Sequence, residues 1–304
     1  MAEMTIIEAV RSALHEEMER DERVFVMGED VGQRGGVFLA TQGFIEDFGP
    51  ERVIDSPLAE ASIMGIALGA AFRGMRPIPE VQFSDFVWPS VNQLIGEAAR
   101  AHYGTNGALK VPMTVRIPYG GGIRGGLFHS QNGLLKSAIR DDNPVIFLEH
   151  KKTYRLVRGE VPDGEYTLPI GPADIKRAGS DVTVVSYGLS MHYCLAAAEA
   201  VAADGISAEV VDLRTLKPLD TETILESVRK TGRLLVVHED NISGGIGAEI
   251  AALAADEAFE YLDAPIARLC GPDVPTMPFA QTLEDAYMPS PEAIAAEIRR
   301  LAAY

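Results

Sequence analysis

Cysteine is scarce in this chain: Cys194 and Cys270 are the only two in 304 residues, they lie far apart, and each sits among apolar neighbours. That excludes a disulfide framework and a cysteine zinc spacing, and it points to a reducing interior. Long hydrophobic runs are missing as well. No stretch of about 18 apolar residues could cross a membrane, and the N-terminal MAEMTIIEAVRSALHEEMERDERVF lacks the apolar centre and cleavage site of a secretory signal. Basic residues are outnumbered, with 27 Lys and Arg against 44 Asp and Glu, a net charge of −17. Nucleic acid is therefore a poor partner, since phosphate is met by a basic face. Two nucleotide and metal signatures are also absent: there is no G-x-x-x-x-G-K-[ST] and no H-E-x-x-H.

What remains is an ordinary apolar content of 47% in a chain long enough for about two domains. Thr5-Ile6-Ile7-Glu8 reads as a capping box, and Ile7, Val10, Leu14 and Met18 fall on one face of the helix it opens. Strands are expected at Arg23–Met27, Val53-Ile54, Ile78–Phe83, Pro112–Ile117 and Val145–Leu148. Ser56-Pro57 reads as an N-cap followed by a first-turn proline. The helix after it, Ala61 to Ala71, is apolar nearly all round and should be buried. Further helices are expected from about Ser90 to His102 and over Leu134–Arg140. The stretch Lys151–Pro172, rich in Pro, Gly and charge, reads as a linker. Alternation then resumes with strands Val182–Tyr187, Ala208–Asp212, Leu234–Val237 and Ile266–Leu269. Between them come helices His192–Ala203, Glu222–Arg229 and Ala248–Tyr261. This order implies two α/β domains with doubly wound parallel sheets, 1–170 including the linker and 171–304.

Three features carry potential chemistry. Glu60 opens the buried apolar helix; a helix-start carboxylate suits the dipole, but apolar Leu58, Ile63 and Met64 would desolvate it and push its pKa up, as proton exchange with a nitrogen base requires. His129 follows the glycine-rich Tyr119–Phe128, where backbone could approach a ligand closely; it reads equally as a solvated loop histidine. Gly244-Gly245-Ile246-Gly247 stands between a strand and a helix, but its spacing fits a dinucleotide fingerprint poorly and suits a tight helix start. The aromatics Phe83, Phe86 and Trp88 cluster and read mainly as core, with one free to face a ring.

Seven segments occur in one order: GEDVGQRGGVF, RVIDSPLAEASIMGIALGAA, EVQFSDFVWPSVNQLIGEAA, the glycine-rich loop into FHSQ, SAIRDDNPVIFLE, EVVDLRTLKPLD and APIARLCGPDVPTMPFA. Together they resemble the β subunit of the thiamine-diphosphate-dependent 2-oxoacid dehydrogenases, the decarboxylating component of the pyruvate and branched-chain complexes. The resemblance implies a pyrimidine-binding transketolase-like domain, then a transketolase C-terminal-like domain. It implies an α2β2 heterotetramer with thiamine diphosphate between α and β, and Mg2+ held by the α subunit through a GDG motif that this chain lacks. A 2-oxo acid is the substrate, and the acyl group goes to lipoyl on an acyltransferase core. The compartment is cytoplasmic for a bacterial chain, or the mitochondrial matrix for a processed eukaryotic one.

Residue by residue, Glu60 matches the glutamate at the aminopyrimidine N1′, where proton sharing favours the imino form that activates the thiazolium C2. Aspartate would be one methylene short and glutamine could not exchange the proton. Phe86 matches the aromatic on the pyrimidine ring, and Leu58 and Gln82 match pocket positions. His129 matches the histidine implicated in acyl transfer. Val111, Met113, Thr114, Ala138, Asp141 and Asn143 match a monovalent cation site, often K+, whose oxygen donors suit a hard cation; Asp141–Pro144 also reads as a simple helix-ending turn. An acetoin-cleaving relative, a non-catalytic assembly subunit and a nucleotide-binding oxidoreductase using the Gly244 loop are the alternatives.

One departure stands out. Asn132 runs straight into Gly133-Leu134-Leu135-Lys136 where the family carries about 25 further residues, chain enough for a strand and a helix start. The expectation is a break, with Asn132 and Gly133 much farther apart than the roughly 3.8 Å between bonded neighbours. A normal peptide bond would instead mean a real deletion, and would weaken the assignment of His129.

Overall fold

The computed structural model describes residues 2–120, 131–162, 165–275, 277–278 and 280–304. These fall into two compact units, the first of 2–119 with 131–169 and the second of 170–304.

The first unit runs β1 (Ala2–Thr5), α1 (Ile6–Arg20), β2 (Val24–Gly28), α2 (Phe44–Phe48), β3 (Val53–Asp55), α3 (Glu60–Phe72) and β4 (Arg76–Pro79). It continues with α4 (Ala99–Gly104), β5 (Thr114–Tyr119), α5 (Gln131–Arg140), β6 (Val145–His150), α6 (Thr153–Leu156) and β7 (Arg158–Val161). The capping box at Thr5 forms as read: the Thr5 hydroxyl accepts from the Glu8 amide, and the Glu8 carboxylate accepts from the Thr5 amide at 2.7 Å. The buried stripe of α1 includes Val10, Leu14 and Met18 but takes Ile6 in place of Ile7. Strands β3, β2 and β4 form a parallel sheet in that order, and β5 and β6 form a parallel pair. A single parallel bridge, Glu80 to Arg116, joins the two pieces.

Several expectations need correction here. Ser56 does not cap α3. Its amide donates to Gly28 O at 2.9 Å, which keeps the chain extended, and the helix starts four residues later at Glu60 with Ala59 as an uncapped N-cap. Nor is α3 buried all round: Ile63, Met64, Ala67, Leu68 and Ala71 enter the core, while Ile66 is 59% exposed and Ser62 and Gly69 share its open face. The helix expected from Ser90 is preceded by short turns at Ser84–Phe86 and Trp88–Ser90, and consists of a π-helical segment, Asn92–Ala98, followed by α4. The stretch read as a linker contains α6 and β7, and β7 pairs antiparallel with β1. Periodicity could not reveal that pairing, because its four-residue partners lie at opposite ends of the unit.

The expected break is also absent. Asn132 and Gly133 are consecutive residues of the helix α5. Gly133 O accepts both the Ser137 hydroxyl, at 3.0 Å, and the Leu168 amide, at 3.2 Å. The two residues thus stand within one helix, and the sequence carries no segment between them.

The second unit comprises β8 (Asp174–Arg177), β9 (Val182–Ser186), α7 (Gly188–Ala202), β10 (Ala208–Asp212), α8 (Thr221–Thr231), β11 (Leu234–Asn241) and α9 (Ile246–Glu257). It ends with β12 (Ala267–Gly271), α10 (Gln281–Tyr287) and α11 (Pro291–Ala302). Its sheet has the order β12-β11-β9-β10-β8, parallel except for the edge strand β8. Val182, Val184, Val210, Leu235 and Val237 meet α7 and α11 on one face, and Val185, Val211, Leu234 and Val236 meet α8 and α9 on the other. Strands covered on both faces read as unbroken apolar runs, which is why these were legible.

Candidate active site

In open α/β sheets, ligands bind outside the carboxyl ends of the strands, where the winding reverses. In the first unit that reversal lies at β2, flanked by β3 and β4. The residues singled out from sequence gather around it. Leu58 and Glu60 follow β3, and Gln82 and Phe86 follow β4. The Gln82 amide nitrogen donates to Glu29 O at 3.0 Å, tying the loop after β4 to the loop after β2. That second loop is gripped from the other side by Asp55, whose carboxylate accepts the Gly32 amide at 2.6 Å. A Cβ at residue 32 would lie 2.5 Å from the Asp55 oxygen, so a larger residue there would displace the carboxylate that holds the loop.

Glu60 occupies the first turn of α3, where the helix dipole favours an anion. It is half-buried, and its carboxylate makes no hydrogen bond or ion pair with another described residue. Ile63 and Met64 turn inward, but Leu58 is 68% exposed, so the apolar surround expected for Glu60 is complete on one side only. Phe86 is 48% exposed with its ring edge-on to Phe83 at 5.9 Å. Phe83 stands in turn edge-on to Phe38, and the Lys151 ammonium lies over its ring. Trp88, 76% exposed, is not core. Leu58, Ile66, Phe86, Trp88, Ile95 and Tyr103 thus leave much apolar surface open around the sheet edge and α3.

His129 lies outside the described residues, so the loop meant to bring it here gives no geometry. The six candidate cation positions fall on two neighbouring segments. Val111, Met113 and Thr114 lead into β5, and Ala138, Asp141 and Asn143 close α5. The Val111 amide donates to Asp142 O at 3.0 Å, and the Val145 amide to Met113 O at 2.9 Å. The Asp141 carboxylate accepts from the Asn143 amide at 2.8 Å, and Asn143 Oδ1 pairs with His102 Nδ1 at 2.7 Å. The donors are oxygens, several of them main-chain carbonyls with a second lone pair. Among the described residues, no group of three or more His, Cys, Asp and Glu could hold a metal ion.

Sequence reading missed a buried ionic cluster beneath the sheet edge. Arg116 of β5 donates to both oxygens of Glu149 of β6, at 2.6 and 2.8 Å, and to Glu80, just past β4, at 2.5 Å. The Tyr154 hydroxyl donates to the same Glu149. All four side chains are buried. Burial pushes the Glu80 carboxyl up, and the neighbouring Glu149 adds to this against the pull of Arg116. Burial alone would lower Arg116, but Glu149 and Glu80 reverse that and hold the guanidinium protonated. Burial, and then Glu149, raise the Tyr154 hydroxyl well above its ordinary value. The signal was present in the sequence: one charged residue within each otherwise apolar run, IPEVQF, TVRIPY and VIFLEH.

The Gly244 loop in the second unit has a packing explanation. A Cβ at residue 245 would lie 2.5 Å from Asn241 O, and one at residue 247 would lie 2.6 Å from His238 Nε2. The Gly247 amide donates to that nitrogen at 3.2 Å, and the Cys270 thiol lies 3.3 Å from it. The glycines let the start of α9 close over a buried histidine.

Comparison with known proteins gives the same fold. The pyrimidine-binding domain of transketolase matches residues 2–132, and the transketolase C-terminal domain matches residues 171–294. The first match ends at the shortened site. The chain is 51% identical to the 2-oxoisovalerate dehydrogenase subunit beta of Bacillus subtilis (strain 168), over all of both chains. It is 44% identical to the pyruvate dehydrogenase E1 component subunit beta of the same organism, over 99% of each. The first alignment spans 327 columns against 304 residues here, leaving 23 columns that this chain does not fill. A solved split-gene transketolase, described as an inactive beta4 tetramer, shares the fold with a TM-score of 0.78 over 99% of this chain and 98% of its own, at 22% identity. Both halves of the molecule and two full-length relatives agree, and the chain belongs to the β subunits of the thiamine-diphosphate-dependent 2-oxoacid dehydrogenases.

Proposed function

We propose that this chain, joined to an α subunit as α2β2, decarboxylates branched-chain 2-oxo acids and passes the acyl group to lipoyl on an acyltransferase core. The observation that carries the proposal is the full-length 51% identity to a 2-oxoisovalerate dehydrogenase β subunit, against 44% to a pyruvate dehydrogenase one. The residues at the sheet edge suit thiamine diphosphate: an unengaged carboxylate at a helix start, an open aromatic ring and an exposed leucine. When bound, that cofactor supplies the electron sink for loss of carbon dioxide. Glu60 shares a proton with the pyrimidine N1′, Phe86 packs on the ring, and Leu58 and Gln82 line its pocket. The open apolar surface around Ile66 and Trp88 meets the α subunit, which excludes water from Glu60 and brings the Mg2+ that holds the diphosphate. Val111, Met113, Thr114, Ala138, Asp141 and Asn143 hold K+ and brace β5 against α5. Two free cysteines fit a reducing compartment such as the cytoplasm.

The test is reconstitution with the α subunit, thiamine diphosphate and Mg2+, followed by a panel of 2-oxo acids. Glu60→Gln should assemble normally and lose most decarboxylation. Near-normal turnover would refute its role, and preference for pyruvate or cleavage of acetoin would refute the substrate class.

The shortening at Asn132–Gly133 favours a second reading for one half-reaction. By the family resemblance the missing segment follows Asn132, close in sequence to His129, so on this reading the chain retains decarboxylation but transfers acyl groups poorly. Turnover with an artificial electron acceptor but not with lipoyl substrate would support it; equal rates would exclude it.

A further inference from the structure

The sheet of the first unit has a seam. The amides of Arg76 and Glu80 donate toward β2, to Arg23 O and Met27 O, each at 2.9 Å. Residues 77, 79 and 81 therefore face β5. Two of these are Pro77 and Pro79, which have no amide proton. Proline inside a sheet removes ladder bonds and is normally confined to edges. The first donor this segment offers β5 is thus the Val81 amide, just past β4, to Arg116 O at 3.0 Å, and among the described residues the two pieces share only the Glu80–Arg116 bridge.

The seam runs between two groups of loops that the cofactor reading makes functional. On one side, Leu58 and Glu60 follow β3, and Gln82 and Phe86 follow β4. On the other, β5 leads into the glycine-rich loop. Side chains close the gap at this level. Arg116 holds Glu149 with two bonds and Glu80 with one, spanning the end of β4, β5 and β6. Glu80 also packs against the loop after β2: a Cβ on Gly28 would lie 3.1 Å from Glu80 O, and one on Gly36 would lie 3.6 Å from its carboxylate. A buried pair of charges is a weak source of stability, because desolvation offsets attraction. Its fixed geometry is what a seam with a single bridge lacks.

We propose that the Glu80–Arg116–Glu149 triad, backed by Tyr154, is a positioning device that replaces the missing β4–β5 ladder and sets the spacing between the Gln82–Phe86 loop and the end of β5. The inference rests on the cofactor reading given above. A gap of roughly 0.5–1 Å between Phe86 and a bound ring forfeits a quarter to a half of their contact energy.

The experiment uses the reconstituted complex and titrates thiamine diphosphate with Mg2+ by calorimetry. Glu80→Gln should raise its Kd by about tenfold or more, and Tyr154→Phe, which removes only a hydroxyl, by about threefold. Pro79→Ala returns an amide donor to the seam, and in the Glu80→Gln background it should recover part of the lost affinity. Leu235→Ala, in the core of the second unit, is the control for general loss of stability and should leave Kd unchanged. Wild-type Kd in Tyr154→Phe together with either wild-type Kd or misfolding in Glu80→Gln would overturn the proposal. So would equal weakening in Leu235→Ala. A wild-type complex that binds no thiamine diphosphate overturns the cofactor reading and this inference with it; a wild type that binds while the variants match it overturns this inference alone.

Discussion

The second unit knits β11, β9 and β10 into one parallel ladder, and its core is a two-sided layer of valine and leucine. The first unit winds its strands in the same sense, but prolines interrupt its ladder and buried charges bridge the gap. It also leaves Ile66, Phe86 and Trp88 open, whereas its partner unit buries both faces of its central strands. The contrast teaches where to look for function: local rules are kept where a unit need only be stable, and broken where groups must be held for a ligand or a partner.

The sharpest way to break this comparison is Arg116→Met, which leaves two buried carboxylates without a counter-charge. It should destabilise the first unit by about 3–5 kcal/mol, measured by chemical unfolding. Leu235→Ala opens a cavity in the all-apolar sheet, and a loss of about 2–4 kcal/mol is expected in the same assay. If its loss exceeds that of Arg116→Met, the charge cluster is not what holds the first sheet together.

Smaller effects sharpen the picture. The carboxylate of Asp220 caps α8, accepting the Thr223 amide at 3.1 Å, and Asp220→Ala should cost about 1 kcal/mol. Ile66→Ser lies on the open face of α3; it should change the stability of the free chain by less than about 0.5 kcal/mol yet weaken association with the α subunit, read by native mass spectrometry. Acid gives a further test. The Arg23 guanidinium bonded to Asp21 lowers that carboxyl to about 2. A depressed folded-state pKa stabilises above the unfolded value of about 3.9, and the gain is lost as pH falls from there towards 2. The melting difference between wild type and Asp21→Asn should therefore be full at neutral pH and shrink below pH 4.

Much of the fold was legible. The capping box of α1, the strand Ala208–Asp212 and the apolar runs of the second sheet follow from local chemistry and matched the structure closely. The β1–β7 pair and the late start of α3 were not legible, because each depends on a backbone bond to a distant strand. For the site, Glu60 and Phe86 stood out from their own sequence settings, Leu58 and Gln82 came from resemblance, and the placing of all four after β3 and β4 came from the winding of the strands. Glu80, Arg116 and Glu149 were visible as odd charges in apolar strands, but nothing local said that they touch.

By itself, then, the sequence determined the alternation of strands and helices, the apolar faces and the residue types able to do the chemistry, since those depend on neighbours a few positions away. Only the tertiary structure decided which charges share a buried site, which face of α3 stays open and that α5 runs unbroken through Asn132 and Gly133. Those outcomes depend on register between strands up to 36 residues apart, such as the pair Glu80 and Arg116, and no periodicity within a single segment encodes that register.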